Sequence, residues 1–173
     1  MAKNRKHTVL TVESTRGPDD EPACLLTWGA LQWYASVAEV RETALDLLAC
    51  ATYADMMLIM VQVVKCPPQI VGHFAGDLLE RSGKRYLGHP ATVLLTPAGS
   101  STRAEAMVLL KRGSIDGYLT AAEARPMALG WLSAAEATES DQLVSEALRA
   151  LHMDGVIQEQ LFGYLRKLRE RSP

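Results

Sequence analysis

Between Ser36 and about Val64, the residues Val40, Ala44, Leu47, Ala51, Ala54, Leu58 and Val61 recur in alternating steps of four and three. Side chains spaced in this way share one face of an α-helix. Leu45, Leu48, Cys50, Met56, Met57, Ile59, Met60 and Val63 cover most of the remaining circumference. A helix that is apolar nearly all round is expected at the centre of a core. Ser36 and Glu39 have the spacing of a capping box at its start. Pro67 stops it, because the residue before a proline resists helical geometry. The stretch is long enough to cross a bilayer. However, Asp46 and Asp55 fall on opposite sides of the helix, and each would cost about 2.5–3.5 kcal/mol at the bilayer centre. The pattern therefore predicts a core helix and no membrane contact.

Before this helix, His7 to Glu13 alternates as a strand. Ser14 to Pro22 is rich in turn residues, and Ala23 to Trp28 and Leu31 to Ala35 form a hairpin around Gly29-Ala30. Trp28 and Trp33 flank that turn and are expected to pack across it. After it, Pro67-Pro68 opens a second helix running to about Arg81. Ile70, Val71, Phe74, Leu78 and Leu79 give that helix its apolar face.

The pattern then returns to a period of two. Thr92 to Thr96 is a strand, Pro97 to Thr102 a loop of small residues, and Ala106 to Lys111 with Ile115 to Leu119 a hairpin through Arg112-Gly113-Ser114. Thr120 and Glu123 form a second capping box, and a helix runs from Ala121 to about Ala137. The string Glu136 to Gln142 is polar all round, so the helix either breaks there or continues exposed. Leu143, Val144, Ala147, Leu148 and Leu151 resume an apolar face, Asp154-Gly155 makes a turn, and a last helix follows. No repeat of fixed period stands out.

Strands, two helices, strands and further helices make an α+β protein. The expectation is a mainly antiparallel sheet of about five to six strands, packed on the long central apolar helix, with a carboxyl-terminal helical segment. One domain is expected over residues 1–173: the sheet and two helices over 7–119, and a helical extension over 120–171.

Composition sharpens this picture. Of the 173 residues 48% are hydrophobic and only 6% aromatic, which suits closely packed helices more than a β-sandwich. A net charge of −2 gives no whole-molecule attraction to nucleic acid. Cys24, Cys50 and Cys66 are odd in number and widely spaced, so reduced thiols and a cytoplasmic location are expected. The Ala, Glu, Arg and Leu texture is bacterial in character, and the residues carry no resemblance to a particular family.

Several groups are candidates for chemistry. Cys66 precedes a helix amino end, which lowers a thiol pKa, and His73 lies seven residues on. A Cys–His pair is the minimum for thiol catalysis, although no nucleophile signature surrounds it. The soft ligands Cys50, Met56, Met57, Met60 and Cys66 cluster in sequence. They suit Cu(I) in principle, yet fill apolar cores more often. No metal and no cofactor are expected. Lys84, Arg85 and Arg103 lie in Gly/Ser loops able to hold an anion, and Arg166, Lys167 and Arg169 form a basic carboxyl end opposite Lys3, Arg5 and Lys6. On the last helix Ile157, Leu161, Tyr164, Leu165 and Leu168 form a stripe that must be buried on the sheet or on another chain.

The function these features favour is a non-catalytic interaction or regulatory protein that pairs with itself through its carboxyl-terminal helices, or else with another protein. The alternatives are a nucleic-acid-binding regulator using the basic ends, and a small-ligand binder or enzyme with a pocket between sheet and core helix.

Overall fold

A computed structural model describes residues 10–81, 93–100, 105–153 and 155–171. The chain runs β1 (Leu10–Arg16), β2 (Pro22–Trp28), β3 (Leu31–Ala35), α1 (Val37–Gln62), α2 (Pro68–Arg81), β4 (Leu94–Ser100), β5 (Glu105–Arg112), β6 (Ile115–Thr120), α3 (Ala121–Ala150) and α4 (Gly155–Arg171). It is an α+β protein. Its six strands form two antiparallel three-stranded sheets, ordered β1-β2-β3 and β4-β5-β6, where a single sheet was expected.

The element order is one unit written twice: three antiparallel strands, a long helix and a shorter one. Adding 84 to a residue number maps the first unit on the second, so that β1, β3 and Ser36 land on the starts of β4 and β6 and on Thr120. Leu25, Leu26, Gly29, Tyr34, Ala38, Glu39, Arg41, Ala44, Leu45, Leu48 and Ala51 all recur unchanged at that offset, ending at Ala135. A repeat is therefore present in the sequence, contrary to the expectation from pattern alone. It escapes notice because it occurs only twice and its flanks have diverged.

The recurring residues have physical jobs. Gly29 and Gly113 take φ of 61° and 58° at the hairpin turns, a region that side chains with a Cβ disfavour. Ser36 and Thr120 each accept the N3 backbone N–H at 3.2 Å, while Glu39 and Glu123 each accept the backbone N–H of the capping residue at 2.8 Å. Ala44, Ala51, Ala128 and Ala135 are fully buried, and their small side chains let the two long helices approach closely.

The units interlock. Helix α1 packs on α3 and lies on β4 and β5 of the other unit, while α3 lies on β1 and β2. The long helices run antiparallel, tied at one end by Arg41 to Glu139 (2.7 Å) and at the other by Arg125 to Asp55. These are the same pair of positions in each unit, taken in opposite senses. The contact of Trp28 is exchanged in the same way. Its ring lies against Gly117, while Arg112, in the place of Trp28, stacks 3.6 Å above the centroid of Trp33, in the place of Gly117. The two tryptophans thus reach into the opposite unit, while within their own hairpin Trp28 stands opposite Leu31 and Trp33 opposite Leu26. Burial lowers the Arg112 pKa, and nearby Glu39 offsets this in part.

One apolar core spans both units, with Leu10, Leu26 and Trp28 from one sheet, Leu95, Val108 and Leu110 from the other, and Leu47 and Trp131 from the helices between. Helix α1 is not buried all round, as its composition had suggested. Only 28% of its most apolar 18-residue window lies inside the molecule. Its inner seam, from Val40 to Ala54, is buried, and the opposite flank faces out. Long enough and apolar enough to span a membrane, it is the single such helix among the described residues.

Boundaries differ from expectation at three places, the first being β1, which runs on through Ser14 to Arg16 where a loop was expected. Pro97 and Gly99 lie inside β4, where a loop was expected. Strand β4 is at a sheet edge, and there a proline costs no ladder bond. The polar stretch 138–142 is continuous helix, because its side chains are engaged one by one. Thr138 is buried against Cys24 (3.3 Å), Asp141 accepts from Ser14 (3.1 Å), and Gln142 donates to the Pro22 carbonyl (3.0 Å).

Candidate functional site

Helix α4 is attached to the body along one flank. Arg169 donates to both carboxylate oxygens of Asp141 at 2.8 Å and to the Ala137 carbonyl at 3.3 Å. The guanidinium of Arg16 lies 5.0 Å from the centroid of the Phe162 ring. Leu161, Phe162 and Leu165 are half-buried on this side. The other flank is exposed: Ile157 is 45% exposed, Tyr164 61% and Leu168 43%. The apolar stripe expected from the sequence is thus split lengthwise, one edge on the protein and one edge in water. Val156 and Leu151 add to the open side.

The basic residues separate into three groups. Lys84, Arg85 and Arg103 lie outside the described residues, as do Lys3, Arg5 and Lys6. Arg166 and Lys167 are exposed on α4. Arg169 is committed to Asp141, whose hydrogen bond is the main cause raising the Arg169 pKa. The Asp141 side chain is only 14% exposed, so this ion pair is a fastening rather than a free cation.

Cys66 and His73 are not drawn together by any described contact. The His73 Nδ1 sits 2.8 Å from the Gln69 carbonyl, one turn back on its own helix. Cys66 is half-buried, with its backbone N–H on the Met60 carbonyl. Cys24 and Cys50 are buried and in no disulfide. Burial pushes the Cys24 thiol pKa up, and the Thr138 hydroxyl lowers it by less. Among the described residues no three His, Cys, Asp or Glu side chains gather as metal ligands would.

A shallow open hollow of about 310 Å³ lies where the β1–β2 loop meets the start of α1. Asp19, Glu21, Tyr34, Ser36, Glu39 and Gln142 line it. Four of these six are engaged elsewhere: Ser36 and Glu39 on each other, Glu21 on Arg149 (2.6 Å), and Gln142 on Pro22. Such a lining holds the loop to α3 and leaves few groups directed at a ligand.

Asp141, Arg16 and Phe162, which fasten α4, carry no short-range mark in the sequence, since Arg16 and Phe162 are far apart in the chain. The exposed flank of α1 does have its spacing in the sequence, but nothing there separates it from the buried one. Comparison of the chain with protein-family models, with curated proteins and with solved structures gives no match.

Proposed function

We propose that this is a non-catalytic cytoplasmic interaction or regulatory protein that pairs with a second copy of itself through its carboxyl-terminal helices. The observation that carries this reading is the half-covered α4. Ile157, Tyr164 and Leu168 stand in water on a helix whose other edge is fixed to the body by Arg169 and Phe162. A helix already fastened with its apolar edge outward has less ordering left to pay for on binding. Burying that edge gains about 25 cal/mol per Å² of apolar surface. A two-fold contact lets one stripe serve both partners, and the basic Arg166 and Lys167 at its rim stay hydrated.

Light scattering on the size-fractionated full chain tests this. Tyr164→Glu with Leu168→Glu, both at exposed positions, is expected to halve the mass of the assembly while leaving the far-ultraviolet circular dichroism unchanged. An unchanged mass for the folded double variant would refute α4 as the contact.

A further inference from the structure

Helix α1 carries a second apolar seam on the flank opposite its buried one. Leu45, Ala49, Thr52, Met56, Ile59 and Val63 advance in alternating steps of four and three, with no charge among them. Leu45 is 51% exposed, Met56 39%, Ile59 53% and Val63 72%. Thr52 turns its hydroxyl onto the Leu48 carbonyl at 3.0 Å, so it asks nothing polar of a neighbour. A seam of this period is what one helix offers another in knobs-into-holes packing. From Leu45 to Val63 it is about 27 Å long at 1.5 Å per residue. The repeated unit does not reproduce it. Ser133, Glu136 and Ser140 stand on α3 where α1 has Ala49, Thr52 and Met56. The seam is therefore a property of α1 itself, not a by-product of the fold.

We propose that this outer seam pairs with the same seam of a second copy of the chain, antiparallel about a two-fold axis between Thr52 and Met56. Charge sets both the occupant and the direction. Glu42 lies one turn before Leu45, and Lys65 just beyond Val63. Setting Leu45 of one copy against Val63 of the other brings each Glu42 beside Lys65 of the opposite copy. A parallel arrangement would place Glu42 on Glu42 instead. The molecule already contains an antiparallel helix pair of this design, since α1 meets α3 along the inner seam with ion pairs closing both ends. Methionine at the centre adapts to a partner surface. This contact is separate from the one on α4. Two isologous contacts on each chain close into a four-chain assembly of dihedral symmetry when their two-fold axes meet at right angles, which is the arrangement proposed.

Sedimentation velocity on the full chain, with circular dichroism to confirm folding, provides the test. The expected mass is four chains for the parent and two for Ile59→Glu. Two are also expected for Tyr164→Glu with Leu168→Glu, and one when all three changes are combined. Val63→Glu, at the most exposed seam position, is the companion variant if Ile59→Glu does not fold. Direction is tested by mild oxidation in a Cys66→Ser background, where Glu42→Cys with Lys65→Cys is expected to link chains and Glu42→Cys alone is not. A parent of two chains whose mass halves with Ile59→Glu alone keeps this contact and removes the α4 contact. The proposal is overturned if folded Ile59→Glu and Val63→Glu keep the parent mass. It fails equally if Glu42→Cys alone links as well as the pair. A fall in melting temperature without a change in mass would mean that the chain itself covers the seam. Loss of flotation with phosphatidylcholine–phosphatidylglycerol vesicles, again at constant mass, would assign the seam to a lipid surface.

Discussion

A methyl group added at Gly117 is expected to destabilise the protein, although the same change in an ordinary strand would help it. Glycine inside a strand costs roughly 0.5–1 kcal/mol relative to alanine, so Gly117→Ala starts with that gain. Against it stands the ring of Trp28: a Cβ at residue 117 falls 3.0 Å from Cζ2. Carbon atoms prefer separations of about 3.5–4.0 Å, so something must give by about half an ångström. Trp28 is only 2% exposed and is held in the core, and the ring has nowhere to retreat. Overpacking of this kind costs about 1–3 kcal/mol, enough to outweigh the propensity gain. Trp28→Phe vacates the contested position. Among the described residues the indole Nε1 has no hydrogen-bond partner, so no such bond is lost with it. In the Trp28→Phe background the Gly117→Ala penalty is expected to vanish or reverse, giving a coupling of roughly 0.5–3 kcal/mol. Urea unfolding followed by far-ultraviolet circular dichroism measures all four corners of the cycle, with a constant m-value as the check on two-state behaviour. Equal penalties in the two backgrounds would show that residues 28 and 117 do not meet, and the interlocked arrangement of the units would go with them.

Other consequences are open to measurement. Asp141→Ala removes the anchor of Arg169, and amide exchange over residues 155–169 is expected to quicken while that of α1 stays slow; equal protection would place the fastening elsewhere. Exchanging charges at one inter-unit ion pair, Arg41→Glu with Glu139→Arg, is expected to recover thermal stability lost in either single variant, and failure to recover would deny the contact. In the native protein Cys66 is expected to react with a maleimide before Cys24 and Cys50, both of which are buried. The raised Cys24 pKa also keeps its thiol protonated in the folded state. Its contribution to stability is full below the unfolded thiol pKa, about 8.5, and declines as pH rises from there toward the higher folded value. A Cys24→Ala variant should therefore lose part of this alkaline decline, and an identical pH profile would remove Cys24 as its source.

Local signals were legible where local physics decides. Both capping boxes, both glycine turns and the hairpins follow from residues a few positions apart, and they were found with boundaries close to those observed. The inner seam of α1 was also plain. Burial does not extend around the whole helix, because composition counts apolar side chains without saying which of them find neighbours. Residues 138–142 show the reverse case. They are polar in sequence, yet Thr138 is fully buried, since its hydroxyl donates to the Ala134 carbonyl one turn back on its own helix and meets Cys24 from a distant strand. The division into two sheets was hidden as well, since antiparallel hairpins look alike whether or not they share a ladder. The recurrence of Leu-Leu-x-x-Gly and of Ala-Glu-x-Arg at one common offset was the available clue. The stripe on α4 was visible from its spacing, but the split between a fastened and an open edge depends on Arg16 and Asp141, which only the folded chain brings near.

The crossing of the long helices has a consequence for how the protein is made. With α1 seated on strands of the later unit and α3 on strands of the earlier one, the half that leaves the ribosome first has no partner for its sheet or its helix. Synthesis at 5–20 residues per second makes the wait for a further 84 residues about 4–17 seconds, far longer than chain collapse takes. Nascent chains on one messenger present the same unfinished surfaces to each other during that interval. The covalent connection between Gln62 and Leu94 favours the correct mate, because a tether makes that encounter intramolecular while every wrong one stays bimolecular.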